Sequence, residues 1–284
     1  MERIIDSVLH PTDFSEGSKV AFHHALKAAL LAKSKLTLLN VSPDATSRWS
    51  DFPGVRETLE RWKLLPQGSP REAVSELGID VRKSITKKKD PVDAVVNFLE
   101  EHPAEMIVLA THQRSGVARW LTSSVAEPIA RRANEMTLFI AAESQGFVSA
   151  EDGSVSLENI LIPVAVSPRA QPGVEAAARF VKSLNLAHGT FTLLHVGAVS
   201  SMPAVGLPDV PGWNWNKDVR TGDVVQTILD ASKDTAAGLI VMTTDGRNGF
   251  LDGLRGSHSE RVLRGTGVPL LTVPVGSFVH DAVG

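Results

Sequence analysis

Gly246, Gly249 and the Gly256-Ser257 pair stand between an apolar run, Leu239–Thr243, and a stretch with helical spacing, Ser257–Arg264. That combination suits anion chemistry. A helix start offers unpaired N–H groups and a partial positive charge. Glycine lets an oxygen approach the backbone with no Cβ in the way. The same layout occurs earlier as the run Met106–Ala110, a loop to Ser123, and a helix from Ser124. Ser124 with Glu127, and Ser257 with Glu260, have the spacing of capping boxes. Asp13 could cap the first helix through Ser15–Gly17. No lysine follows the glycines as in a P-loop, and no nucleophile–base set or carboxylate pair can be placed.

These residues need a scaffold, and the chain writes it twice. Val8–Asp13 and Leu36–Val41 in the first half match Ile160–Ala165 and Phe191–Val196 in the second. Each copy is long enough to close its own core. Predicted strands in the first copy are Ser7–His10, Leu36–Val41, Val81–Ile85, Met106–Ala110 and Thr137–Ala141. Predicted helices are Gly17–Ala32, Val55–Leu64, Pro70–Leu77, Val92–Glu101 and Ser124–Asn134. The second copy gives strands at Ile160–Pro163, Phe191–Val196, Asp218–Arg220, Leu239–Thr243 and Leu270–Val273, and helices at Val174–Leu184, Val224–Ser232 and Ser257–Arg264. Short apolar runs suit parallel strands covered on both faces. Strand–helix alternation predicts two α/β domains, each an open five-stranded, mainly parallel, Rossmann-like sheet. The domains are read as residues 1–143 and 159–284, joined by a polar linker, 144–158. Val41 to Val196 is an offset of 155, but Ser124 to Ser257 is one of 133, so the second copy is 22 residues shorter. Gly197–Lys217, rich in Gly and Pro with Trp213 and Trp215, reads as an irregular loop in place of a helix.

Composition narrows the classes. The 284 residues carry a net charge of -3, giving no bulk attraction to nucleic acid or anionic lipid. There are 0 cysteines, which excludes disulfides, thiol catalysis and Cys-ligated zinc. No run approaches the roughly 18 apolar residues of a membrane span, and the start, with Glu2, Arg3 and Asp6, has no apolar signal core. A cytoplasmic protein is expected. His195, His258 and Asp209 lack the short spacing of a metal site. His23 and His24 are adjacent on a helix and face different ways.

Ligands of open parallel sheets bind beyond the carboxyl ends of the strands, where strand order reverses. Pro11-Thr12-Asp13, Asn40-Val41, Ala110–Ser123 and Ser124 should converge there in the first copy. Pro163-Val164-Ala165, Val196, Thr243 and Gly256–Ser259 should do so in the second.

Pro11-Thr12-Asp13, Ala110–Gly116 and Ser123–Glu127, with Leu239–Gly249 and Gly256–Val262 in the second copy, resemble a universal stress protein. The resemblance covers both halves, as a tandem member. It implies a site pattern of glycine, two residues, glycine, nine residues, then Gly-Ser or Gly-Thr in the members that bind ATP. The second copy matches with Thr243, Gly246, Gly256 and Ser257, lacking only the first glycine. The first copy has Ala110, Gln113, Ser123 and Ser124. The resemblance also implies an acidic residue near adenine and ribose, present as Asp13 and replaced by Ala165. So the implied nucleotide site in the second copy is Pro163, Val164, Ala165, Val196, Thr243, Gly246, Gly256, Ser257, His258 and Ser259. The degenerate one is Pro11, Thr12, Asp13, Val41, Ala110, Gln113, Ser123 and Ser124. The implied role is a stress-response binding module with ATP or another adenine nucleotide and Mg2+, not an enzyme. A ligand-free interaction protein and a slow ATPase are the competing readings. The family also implies pairing through the last strand. Within one chain that would make a pseudo-dimer of the copies, and between chains a homodimer.

Overall fold

A computed structural model gives the structure of residues 5–111, 123–141, 144–245 and 257–276. Gln113, Gly246, Gly249 and Gly256 lie outside the described residues. The chain divides into two compact units, Met1–Ala133 with Phe139–Ser156 and Asn134–Leu138 with Leu157–Gly284, so that the strand at 136–141, described below with the first, is shared between them.

The first unit contains strands β1 (Ser7–Thr12), β2 (Lys35–Val41), β3 (Asp80–Thr86), β4 (Met106–Thr111) and β5 (Met136–Ala141). Its helices are α1 (Glu16–Ala32), α2 (Val55–Arg61), α3 (Ala73–Glu76), α4 (Pro91–Glu101) and α5 (Ser123–Ala133). Strand order is β3-β2-β1-β4-β5. The pairings of β1 with β2, β1 with β4, and β2 with β3 are parallel. Every residue of Met106–Thr111 is buried. An alternating strand can bury every side chain only if both sheet faces are covered. Right-handed crossovers supply the cover: α1 leads from β1 one way and α4 leads from β3 the other, so they lie on opposite faces. Ala21, Phe22, Ala25, Leu26 and Ala29 form the buried stripe of α1.

The second unit repeats the plan with β6 (Asn159–Pro163), β7 (Gly189–Val196), β8 (Trp213–Arg220), β9 (Leu239–Thr244) and β10 (Leu270–Pro274). Its helices are α6 (Gln171–Ser183), α7 (Val224–Asp234) and α8 (His258–Gly265). The order is β8-β7-β6-β9-β10, and the pairings are parallel. The fold class expected from the sequence is therefore the one observed.

Two local expectations are corrected. Trp213–Lys217 is not loop but the first part of β8, in register with Gly189–Leu193. Trp213 and Trp215 alternate along it, and both rings meet Phe191, at 4.6 and 4.2 Å between centroids. Their indole N–H groups donate to Leu186 O (3.2 Å) and Pro208 O (3.0 Å). This cross-strand aromatic packing outweighs the Gly- and Pro-rich approach. The expected helix Pro70–Leu77 contracts to the single turn of α3.

The polar stretch 144–158 also has structure. Val148 and Val155 form an antiparallel bridge, and Ser156 N donates to Phe147 O at 2.8 Å. This hairpin lies on α1 and α2. His24 of α1 receives the N–H groups of Phe147 (3.0 Å) and Val148 (3.2 Å) on Nε2, while its Nδ1–H donates to Val20 O (2.8 Å). Gly146 (φ 65°) passes so close to the imidazole that a Cβ would overlap it. Arg61 Nε and Trp62 Nε1 both donate to Ala150 O, at 2.8 and 3.3 Å.

Candidate functional site

In the second unit strand order reverses between β6 and β9, so the crevice opens at their carboxyl ends. Pro163 ends β6, Val164 N donates to Leu194 O (2.8 Å), and Ala165 follows. Val196 ends β7. Beside it His195 is engaged on both ring nitrogens, Nδ1 with Val164 O (3.2 Å) and Nε2 with Ser201 Oγ (2.9 Å). Ser201 escaped the sequence reading because its turn sits in the Gly- and Pro-rich stretch. Among the described residues, no three His, Cys, Asp or Glu side chains could hold a metal ion together.

Thr243 stands where a glycine would bare the backbone. Its Oγ1 turns to α6 and accepts the Gly173 N–H at 3.1 Å. A Cβ on Gly173 would lie 2.6 Å from that oxygen. Gly173 thus makes room for Thr243, a pairing 70 residues apart that no local pattern reveals.

Helix α8 starts at the far side of the β9 loop. Ser257 is its N-cap: Ser257 Oγ accepts from Glu260 N (3.2 Å) and Glu260 Oε2 accepts from Ser257 N (3.1 Å). The expected capping box is present, and Ser257 Oγ also lies 2.9 Å from Ser259 Oγ. His258 and Ser259 form the first turn, where amides face outward at the positive end of the helix. The Glu260 carboxylate already occupies part of that field, so an arriving anion competes with it.

In the first unit the crevice lies between β1 and β4. Pro11 and Thr12 end β1, Val41 ends β2, Ala110 is fully buried in β4, and Ser123 and Ser124 open α5. Asp13 is not the cap of α1. Ser15 is, accepting from Ser18 N at 3.1 Å, while Asp13 Oδ1 accepts from Ser15 N at 3.1 Å. The turn between them leaves Phe14 at φ 61° and sets Ser15 one step nearer the helix. Asn40 Nδ2 donates to Thr12 O (2.7 Å). Among the described residues, Asp13 Oδ2 and Asn40 Oδ1 are buried with no partner. Behind them His10 Nδ1–H donates to Val108 O (2.9 Å), and burial pushes its pKa down to about 4. His24 is likewise lowered to about 4 by burial. His23 falls to about 4 through burial and then the nearby Arg61 charge.

Comparison with known proteins adds the lineage. The model of the universal stress protein family matches residues 5–140 and 214–274. A universal stress protein of Methanocaldococcus jannaschii is 21% identical over 157 residues, covering 49% of this chain and 97% of that protein. A universal stress protein structure from Archaeoglobus fulgidus superposes with a TM-score of 0.57 at 17% identity, covering 94% of this chain and 96% of that one. A structure of unknown function from Pseudomonas aeruginosa gives a TM-score of 0.62 at 14% identity, covering 98% of this chain and 96% of that one. At such identities the two structures support the fold alone. Among the described residues no helix is long and apolar enough to cross a membrane.

Proposed function

The chain belongs to the universal stress protein family, and on that premise we propose that it is a binding module whose second copy holds an adenine nucleotide, with ATP the first candidate, as a regulatory ligand. The observation that carries this reading is the start of α8. Ser257 caps that helix after the Gly246-to-Gly256 spacing, and the amides of His258 and Ser259 head its first turn. Thr243 does not count against it, because its hydroxyl is turned to Gly173 N (3.1 Å). The donor set fits a phosphate chain: backbone N–H groups with the hydroxyls of Ser257 and Ser259. A Mg2+ ion would arrive on the nucleotide's own phosphates. Ala165 supplies no acceptor for ribose, so the grip is weighted to the phosphates. Pro163, Val164 and Val196 form the remaining wall of the crevice.

A ligand-free interaction protein is the second reading. What favours it is Glu260, whose carboxylate already lies 3.1 Å from Ser257 N. Thermal unfolding with and without ATP and Mg2+ separates the two. At 100 times its Kd, ATP adds about 2.7 kcal/mol of stability. Gly246→Val combined with Ser257→Ala removes that gain and leaves the circular dichroism spectrum of the fold. No gain in the native chain, or a gain the double variant keeps, would overturn the nucleotide site. The reading includes a cytoplasmic setting, a homodimer, and no catalysis, the last tested by the absence of ATP turnover above a Gly256→Glu control.

A further inference from the structure

At the opposite end of the first unit's sheet lies a cavity of about 340 Å³. The amino ends of β1 and β2 form its floor, and the last turn of α4 with the segment to Ala104 lines one side, leaving it open to solvent. Its size is at the small end of the roughly 300–1,000 Å³ typical of ligand sites. One wall is aromatic: the rings of Phe98 and His102 stack at 4.6 Å and 16°. The Arg82 guanidinium lies 5.8 Å from the Phe98 centroid. Among the described residues, His102 Nδ1 is buried without a hydrogen-bond partner.

Charge of both signs lines the same space, Lys35 and Arg82 against Asp6 and Glu101. Among the described residues none of these four joins an ion pair. The neighbouring Glu105 is different, since its Oε2 is used by the N–H groups of Asp6 (3.1 Å) and Ser7 (2.7 Å). Exposed charges of opposite sign around a stacked aromatic wall complement a small molecule that carries both charges itself. A single anion would meet Asp6 and Glu101 as repulsion, and a single cation would meet Lys35 and Arg82.

We propose that this cavity binds a zwitterionic α-amino acid. Its carboxylate faces Arg82 and Lys35, its ammonium faces Glu101 and Asp6, and its side chain lies against Phe98 and His102. This site is separate from the nucleotide crevice and does not require nucleotide binding.

Calorimetric titration of the full chain tests it with three probes: L-phenylalanine, phenylacetate and 2-phenylethylamine. The expected result is saturable binding of phenylalanine, with each singly charged analogue weaker by about tenfold or more. Arg82→Gln should weaken phenylalanine by about tenfold while leaving 2-phenylethylamine unchanged. If that variant does not fold, Lys35→Gln, at the exposed rim, makes the same comparison. No heat from phenylalanine up to roughly 10 mM would overturn the proposal. Equal affinity for the zwitterion and either analogue would overturn it as well.

Discussion

Replacing His24 by phenylalanine should loosen the hairpin 147–156 and the unit that carries it. The ring volume and its edge contact with Phe147 (4.6 Å, 84°) are retained. What disappears is one acceptor for two buried amides, Phe147 N at 3.0 Å and Val148 N at 3.2 Å. Each buried donor left unsatisfied costs about 1–3 kcal/mol. The hairpin can escape part of that cost by opening to water, so a loss of about 2–4 kcal/mol is expected. Urea titration by circular dichroism measures it, and hydrogen exchange at Phe147 and Val148 should accelerate. Acid should act through the same atom. In the folded chain burial lowers His24 from 6.5 to about 4. Between those values the unfolded chain binds the extra proton and the folded chain does not. Stability from this group is therefore complete above pH 6.5 and is lost as pH falls toward 4, by about 3 kcal/mol. The phenylalanine variant should show a shallower decline over that window. A variant as stable as the native chain at pH 7, with an unchanged pH slope, would refute the account of His24 as an acceptor clamp.

Two further outcomes follow from contacts in the second unit. Gly173→Ala should destabilise, because its Cβ would lie 2.6 Å from Thr243 Oγ1. Thr243→Gly in the same chain should recover much of the loss, and a double-mutant cycle by urea titration measures the coupling. Equal losses with either residue at position 243 would disprove the clash. Trp213→Ala removes a buried ring packed 4.6 Å from Phe191. It should cost about 3–5 kcal/mol in the same assay, and a loss below about 1 kcal/mol would mean β8 does not depend on the aromatic pair.

The sheet could be read from the chain because its signals are local. Met106–Ala110 and Leu239–Thr243 are unbroken apolar runs of strand length, and Ser257 with Glu260 declares a helix start within four residues. Trp213–Lys217 misled because the Gly and Pro residues before it dominate a composition window, while the period-two tryptophans need Phe191 on the next strand to matter. Asp13 misled by two residues, since both Asp13 and Ser15 are good caps by type, and only the backbone decides that Asp13 accepts from Ser15 N while Ser15 accepts from Ser18 N. The hairpin on α1 was beyond reach for another reason. Its anchors join His24 to amides more than 120 residues away, and polar residues with no periodicity carry no sign of such a partner. Of the candidate site, the helix start and the strand ends were readable. The engagement of Thr243 with Gly173 and of His195 with Ser201 was not.

The bond between Thr243 and Gly173 changes how a degenerate binding loop should be judged. Whether a side chain is tolerated at the first bare position is decided on a different helix, far upstream, where a missing Cβ leaves a slot for it. A search that scores the loop by its own letters would discard such copies as dead. Scoring both positions as a covarying unit would sort genuinely blocked relatives from those that have only moved their glycine elsewhere.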